Sequence, residues 1–78
     1  METIIKVRIS NNVDMKEIMV STSTTVEDAF KQADLEYTGA TIIIDGIALP
    51  AQKFKNTFEE LNIREDCTLA AVVKTNNA

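Results

Sequence analysis

Few side chains in this sequence are suited to covalent chemistry. Of its 78 residues one is a cysteine, Cys67, and none is a histidine. A cysteine nucleophile is normally activated by a neighbouring base, and structural zinc is normally held by several cysteine and histidine ligands. A single cysteine in or beside a strand is more often a small buried hydrophobe. We therefore predict neither a disulfide nor a metal site, and no cofactor.

The remaining candidates for acid–base chemistry are two adjacent pairs of carboxylates, Glu59-Glu60 and Glu65-Asp66. Both pairs fall in predicted turns, where acidic side chains are usually solvated. Catalysis would also need a concave site that holds a nucleophile, a base and an orienting group together. A chain this short leaves little volume for such a cleft. We therefore predict that the protein is not an enzyme.

Length and composition predict one small globular domain over residues 1–74, followed by a flexible tail at 75–78. The 45% hydrophobic content is enough for a compact core, and the 12 acidic residues outnumber the 8 basic ones, which gives a net charge of −4. Binding to a phosphate backbone depends mostly on Lys and Arg, so we expect no direct nucleic-acid binding. No apolar run has the length of a membrane span. We expect no membrane insertion and a cytoplasmic location.

The first half of the chain predicts a hairpin and then a helix. Residues 3–10 alternate with period two, and residues 15–21 resume strand character after a turn rich in asparagine. In residues 25–35 the apolar side chains recur at helical spacing. Thr24 or Thr25 can cap this helix, because each has an acidic residue three positions later. We expect the helix to stop near Leu35, with Gly39 available for a left-handed exit.

The second half predicts a tight hairpin, a short helical turn and a last strand. Asp45-Gly46 separates two apolar runs, which is typical of a two-residue turn with positive φ at both positions. Thr57 and Glu60 repeat the capping pattern over one short helical turn. The predicted order is β-β-α-β-β-short helix-β, an α+β fold in which one helix packs on a mixed sheet of four to five strands. We expect Phe30, Phe58 and Leu69 to anchor its core.

Three stretches of the sequence resemble ubiquitin. VSTSTTVEDAF (20–30) resembles its path from the second strand through a Ser/Thr-rich turn to a threonine-capped helix. IIIDGIAL (42–49) resembles its third strand and glycine-containing turn, and TFEELNIREDCTLAAVVK (57–74) resembles its closing stretch. The resemblance implies the ubiquitin-like β-grasp fold. The pattern DGIAL…TFEELNI…VVKTNNA also resembles small ubiquitin-like proteins of Gram-positive bacteria and their mobile elements, which implies a bacterial-type member.

The end of the sequence departs from that resemblance. Ubiquitin and the related sulfur carriers act through a C-terminal Gly-Gly, whereas this sequence ends in TNNA (75–78) and has glycine only at Gly39 and Gly46, both in predicted turns. This departure removes conjugation and sulfur transfer from what the resemblance implies. We expect residues 75–78 to form a frayed end without a chemical role.

Alternation along the strands predicts two faces of the sheet. One face packs against the helix, and the other, the open face, is exposed. The open face is expected to carry an apolar strip of Ile43, Ala70 and Val72. This strip is bordered by Lys6, Arg8 and Lys74, and Met19 could extend it. The resemblance to ubiquitin implies that Ile43 and Val72 match two positions of the patch that its receptors bind. The residues expected to face the helix are Ile5, Val7, Ile9, Ile18, Val20, Ile42, Ile44, Leu69, Ala71 and Val73.

Three classes of function remain open on the sequence. The favoured one is a non-catalytic interaction module or adaptor that binds an unknown partner protein through the open sheet face or a strand edge. The alternative is a small acidic decoy or inhibitor of a nucleic-acid-binding protein, and the third is a divergent sulfur carrier or modifier. The protein itself is expected to be a monomer or a weak homodimer.

Overall fold

The computed structural model of the protein describes residues 2–73. Lys74 and the predicted tail at 75–78 lie outside the described residues. A short 3-10 helix, Ala51–Lys53, is found between the fourth and fifth strands. The other elements found in residues 2–73 are β1 (Ile4–Ser10), β2 (Met15–Ser21), α1 (Val26–Ala33), β3 (Thr41–Ile44), β4 (Ile47–Leu49) and β5 (Cys67–Val72).

The five strands form one mixed sheet in the order β2-β1-β5-β3-β4. The two central strands, β1 and β5, run parallel, and every other neighbouring pair is antiparallel. Helix α1 covers one face of this sheet, as the sequence predicts. The core lies between them, and Phe30, Phe58 and Leu69 are each fully buried in it.

The predicted alternation holds along most of the sheet. Every second residue of β1 is buried, as is every second residue of β5. One prediction was wrong: Val73 does not face the helix but is 42% exposed, because β5 ends one residue earlier at Val72. The side chain of Asn12 holds the Val73 backbone instead, since its Oδ1 accepts from the Val73 N–H at 3.2 Å and its Nδ2 donates to the Val73 carbonyl at 3.1 Å.

The helix begins as predicted but ends earlier. The Thr25 hydroxyl accepts a hydrogen bond from the Asp28 N–H at 3.1 Å. Asp34, rather than Gly39, takes the left-handed conformation after the last turn, with φ of 59°. The N–H groups of Asp34 and Leu35 bond back to the carbonyls of Lys31 and Phe30, both at 3.1 Å. This arrangement is a Schellman motif. It ends the helix at Asp34 and directs Leu35 into the core.

The left-handed backbone at Asp34 leads to a stability prediction. Both Asp34→Gly and Asp34→Ala remove a negative charge that opposes the helix dipole, but only glycine also removes the Cβ that disfavours positive φ. Asp34→Gly should therefore be about 1 kcal/mol more stable than Asp34→Ala. Urea unfolding of the two variants measures the difference. Equal midpoints and slopes would contradict the assignment of the helix end.

The short helix of the predicted order is in a different place. The capping pair forms as expected, since Glu60 N–H donates to Thr57 Oγ1 at 3.0 Å and Thr57 N–H donates to Glu60 Oε1 at 2.8 Å. However, the chain makes only a hydrogen-bonded turn there, because Asn62 takes a φ of 67° and Ile63 N–H bonds back to the Phe58 carbonyl. The short helix is the 3-10 turn before it, which the sequence did not predict.

The Asp45-Gly46 turn joins β3 to β4 as predicted. Its φ angles are 50° and 86°, the positive values that this turn type needs. The turn is also fastened to β5, because Asp45 N–H donates to the Thr68 carbonyl at 3.0 Å and Asp45 Oδ1 accepts from the Thr68 N–H at 2.9 Å. Asp45 therefore has a structural role at the edge of the open face.

Candidate functional site

The open face of the sheet carries one continuous line of apolar and small side chains. Across β1 and its neighbours, Met15 lies opposite Ser10, and Ser10 lies beside Ala70. Across the other half of the sheet, Ala70 lies opposite Ile43, and Ile43 lies opposite Ala48. We call these five residues the apolar row. With neighbouring strands about 4.8 Å apart, the row crosses the sheet over about 19 Å.

The apolar row brings together the centre of the predicted strip. Ile43 and Ala70 are directly paired and half-buried. Val72, which is 39% exposed, is paired with Thr41 and is therefore a diagonal neighbour of Ile43. The sequence prediction missed Met15, Ser10 and Ala48 as members of this surface. Alternation was the available signal for each, but only the pairing register puts them in one line.

The predicted basic border is only partly beside the strip. Arg8 lies one outward step from Ser10 on β1, and its guanidinium pairs with Glu17 at 3.8 Å. Lys6 is the second open-face residue from Ser10 along β1, beyond Arg8, at a distance of about 13 Å along the strand. Lys6 N–H donates to Asp66 Oδ1 at 2.9 Å. The flank of the apolar row is therefore a mixture of both charges rather than a basic rim.

A shallow groove of about 360 Å³ runs along this charged flank. Its walls contain the two basic residues and three carboxylates, so it has no strong preference for an anion. Both members of the Arg8–Glu17 pair are more than half exposed, and such pairs contribute little to stability. Its lining residues are Lys6, Arg8, Glu17, Asp45, Asp66, Cys67 and Thr68.

Cys67 lies at this groove but is not poised as a nucleophile. It is the first residue of β5, and it is only 7% exposed because it belongs to the core. Burial raises the pKa of its thiol to about 11, and the charges of Asp45 and Asp66 contribute to the shift. A thiol with this pKa is almost entirely protonated at neutral pH, whereas the thiolate is the reactive form.

Within residues 2–73, no group of three or more Cys, Asp or Glu side chains is arranged to hold a metal ion. Within the same residues, no helix has the length and apolar character needed to cross a membrane.

Solved structures of similar shape are ubiquitin-like. A ubiquitin of Caldiarchaeum subterraneum is 18% identical, with a TM-score of 0.63, and the alignment covers 96% of this chain and 99% of that one. A ubiquitin-like domain of an Arabidopsis thaliana protein is 18% identical, with a TM-score of 0.68 and coverage of 97% and 83%. A ubiquitin-like protein of Trypanosoma brucei is 16% identical, with a TM-score of 0.67 and coverage of 94% and 98%.

These similarities are in shape rather than in sequence. No protein-family model and no curated protein sequence matches the chain. At identities this low, shared shape carries information about fold and not about the residues of a site. The order of the strands, the single helix across the sheet and the agreement with ubiquitin structures over nearly the whole chain lead to one conclusion. The chain has the ubiquitin-like β-grasp fold.

Proposed function

We propose that the protein is a non-catalytic interaction module that binds a partner protein through the apolar row. The observation that carries this proposal is the continuity of the row across all five strands of the open face. Scattered apolar residues are normal on a protein surface, whereas contiguous apolar area is characteristic of an interaction site. Four of the five members of the row are apolar, and Ser10 is the polar one. That the structural neighbours are themselves ubiquitin-like domains supports a binding role in general.

The composition around the row is also that of an interface. Met15, at one end, is 65% exposed, and Val72 adds apolar area beside Ile43. The small side chains between them leave a low floor on which a partner segment can lie. The Arg8–Glu17 pair flanks the row, so that an apolar centre has a polar border, which is the usual anatomy of a protein interface.

The exposed edge of β2 supports the proposal less well than the open face does. A free strand edge can bind an extended peptide by adding a strand. Here, two side-chain hydrogen bonds link β2 to the helix: Gln32 Nε2 donates to the Met19 carbonyl at 3.2 Å, and Lys16 Nζ donates to the Ala33 carbonyl at 2.7 Å. The first of these contacts occupies a backbone acceptor of β2, and the second ties a β2 side chain to the helix. We therefore place the partner on the open face.

The test is capture of partners from the source cytoplasm by immobilised wild-type and variant proteins. Ile43→Glu places a charge in the middle of the row and should abolish capture of the specific partner. Because Ile43 is half-buried, the variant should lose about 1 kcal/mol of stability and remain folded. Its melting temperature should fall by about 4–8 °C. Ile47→Glu is the matched control, since Ile47 is 74% exposed and pairs with the inward-facing Ile44.

Two results would argue against the apolar row as the binding site. One is a folded Ile43→Glu protein that captures the same partners as wild type. If that retained set consists of basic nucleic-acid-binding proteins, the acidic decoy becomes the better function. The other is equal loss of capture by Ile43→Glu and Ile47→Glu. Should Ile43→Glu unfold, Ala48→Arg tests the same row, because Ala48 is exposed on the short edge strand β4.

A further inference from the structure

A second concave surface lies on the helix side of the sheet, away from the apolar row. It is a pocket of about 440 Å³ between the first turn of α1, the loop before β3 and the end of β4. Its volume falls in the range of about 300–1,000 Å³ that is usual for ligand pockets. We call it the aromatic pocket. The side chains that the argument uses are Glu27, Tyr37, Ile42, Leu49 and Phe54.

Two aromatic rings in this pocket are held in place by the core. The rings of Tyr37 and Phe54 have centroids 5.1 Å apart and are tilted by 58°. Each also packs on Phe30, with centroid distances of 5.7 Å and 6.1 Å. Because Phe30 is fully buried, both rings have a fixed support while remaining half-exposed themselves. The pocket therefore presents preorganised aromatic surface.

The charged group among the described residues of the pocket is a carboxylate. Glu27 is half-buried, and its Oε2 accepts a hydrogen bond from the Tyr37 hydroxyl at 3.2 Å. Among residues 2–73, no lysine or arginine lines the pocket, and the ion pair found in the same residues is that of Arg8 with Glu17. The carboxylates of Glu36 and Asp28 also lie close enough to affect the Tyr37 hydroxyl. The local charge is negative and lacks a basic partner from the described chain.

The pKa of Tyr37 is consistent with this arrangement. Burial is the largest cause that raises it, the hydrogen bond to Glu27 is the next, and the charges of Glu27, Glu36 and Asp28 add to the shift. The tyrosine therefore stays protonated and continues to donate to Glu27 at neutral pH. One oxygen of the carboxylate is thereby oriented, and the carboxylate keeps lone pairs for a second donor.

The chemistry of the pocket selects a cation with an apolar stem. An anion would be repelled by Glu27. A wholly apolar ligand would bury the charge of the Glu27 carboxylate without giving it a partner. A guanidinium can stack on an aromatic ring and donate to a carboxylate at the same time. Its methylene chain can lie along apolar surface, which Ile42 and Leu49 supply. Arginine matches all three features of the pocket.

We propose that the aromatic pocket binds an arginine side chain of a partner protein, with Glu27 as the charge partner and Tyr37 and Phe54 as the stacking surface. The proposal does not depend on the apolar row. Ile43 belongs to the row and its neighbour Ile42 to the pocket, so the two surfaces lie on opposite sides of β3. A partner could use either surface without the other.

Tyr37 is an intrinsic fluorescent probe in this pocket. It is the only tyrosine and the sequence has no tryptophan, so the intrinsic fluorescence of the protein comes from this residue. The ligand is the tripeptide acetyl-Gly-Arg-Gly-amide, and its neutral control contains citrulline in place of arginine, which has nearly the same shape without the charge. We expect saturable binding of the arginine peptide with a Kd on the order of 1 mM, and no saturation with the citrulline peptide.

Two substitutions in the same helical turn separate the pocket from general acidity. Glu27→Gln removes the charge but keeps an oxygen that can accept from Tyr37, and it should weaken arginine binding about tenfold, as expected for loss of a charge-assisted hydrogen bond. Asp28→Asn removes the same charge from an exposed residue that does not line the pocket. Asp28→Asn should change the Kd of the arginine peptide by less than about twofold, because an exposed charge contributes little to binding.

Several results would overturn the proposal. Equal binding of the citrulline peptide would show that the pocket does not recognise the positive charge of arginine. Equal weakening by the two substitutions would show only a general attraction of the cationic peptide to an acidic surface. Absence of saturation in fluorescence, and of shifts in the NMR amide signals of Thr38 and Gly39, would show that the pocket does not bind arginine. If the Glu27→Gln protein is unfolded, Phe54→Leu provides the test. This substitution removes one aromatic ring of the pocket and should also weaken binding of the arginine peptide.

Discussion

Replacing Phe30 with alanine should remove most of the stability of the protein at 25 °C, leaving about 0–2 kcal/mol. Phe30 is fully buried beneath α1, and its ring packs against those of Tyr37 and Phe54. Truncation of a buried phenylalanine costs about 3–5 kcal/mol, and a domain of this size has a total stability of about 5 kcal/mol. The loss is therefore close to the whole stability of the fold.

Circular dichroism and urea unfolding measure this outcome. Phe30→Leu is the matched control, because it keeps most of the buried volume and should cost less than about 2 kcal/mol, so that a cooperative transition remains. A cooperative Phe30→Ala melt within a few degrees of wild type would mean that the ring does not support the core. It would also remove the support that we assign to the rings of the aromatic pocket.

Raising the pH from 8 to 11 should weaken the fold by about 2 kcal/mol through Cys67 alone. The ordinary pKa of the thiol, 9.0, is raised by burial to about 11 in the folded protein. The unfolded chain therefore loses this proton at lower pH than the folded protein does. The stabilisation is complete below pH 9 and is lost as the pH rises to 11. Two pKa units correspond to about 2–3 kcal/mol when the whole range is crossed.

A comparison with Cys67→Val isolates this contribution. Valine fits a buried strand position and does not titrate, whereas every other side chain is the same in the two proteins. Urea unfolding at pH 8 and pH 11 should thus show a fall that is about 2 kcal/mol larger in wild type than in the variant. Equal falls in the two proteins would mean that the thiol is not buried in the way that the structure shows.

The two proposed surfaces share one strand because of its alternation. In β3, Ile43 points to the open face, whereas Ile42 points toward the helix and forms part of the aromatic pocket. Side chains of neighbouring residues in a strand point to opposite faces. A single four-residue strand can therefore contribute to both surfaces, and substitutions at Ile43 test one of them without altering a lining residue of the other.

Local interactions are the part of this protein that the sequence determined by itself. The Thr25 cap needs only a hydroxyl and an N–H three residues away, and the Asp45-Gly46 turn needs only two residues that accept positive φ. The buried face of β1 follows from alternation, and the single apolar stripe of the helix predicts burial of Phe30. In each of these features, the interacting groups lie within a few residues of each other.

The end of the helix depended on tertiary packing. Gly39 has the residue type that most often ends a helix and does have a positive φ of 71°, but the helix is capped five residues earlier, at Asp34. The reason is that Leu35 must reach the core, where it is 6% exposed, and the chain has to turn at the residue before it. Aspartate tolerates the left-handed region well enough to allow this turn. The apolar pattern predicted a helix end near Leu35, but residue preference alone would not have placed the left-handed cap at an aspartate.

The two candidate surfaces depended on contacts between distant parts of the chain. The apolar row exists because pairing register aligns Met15, Ser10, Ala70, Ile43 and Ala48, and the same register puts Lys6 away from Ile43. The aromatic pocket joins Glu27 to Tyr37 and Phe54, which are 10 and 27 residues away in sequence. Alternation can tell which face a side chain occupies, but register and loop packing decide its neighbours, because they minimise the free energy of the whole core rather than of any one segment.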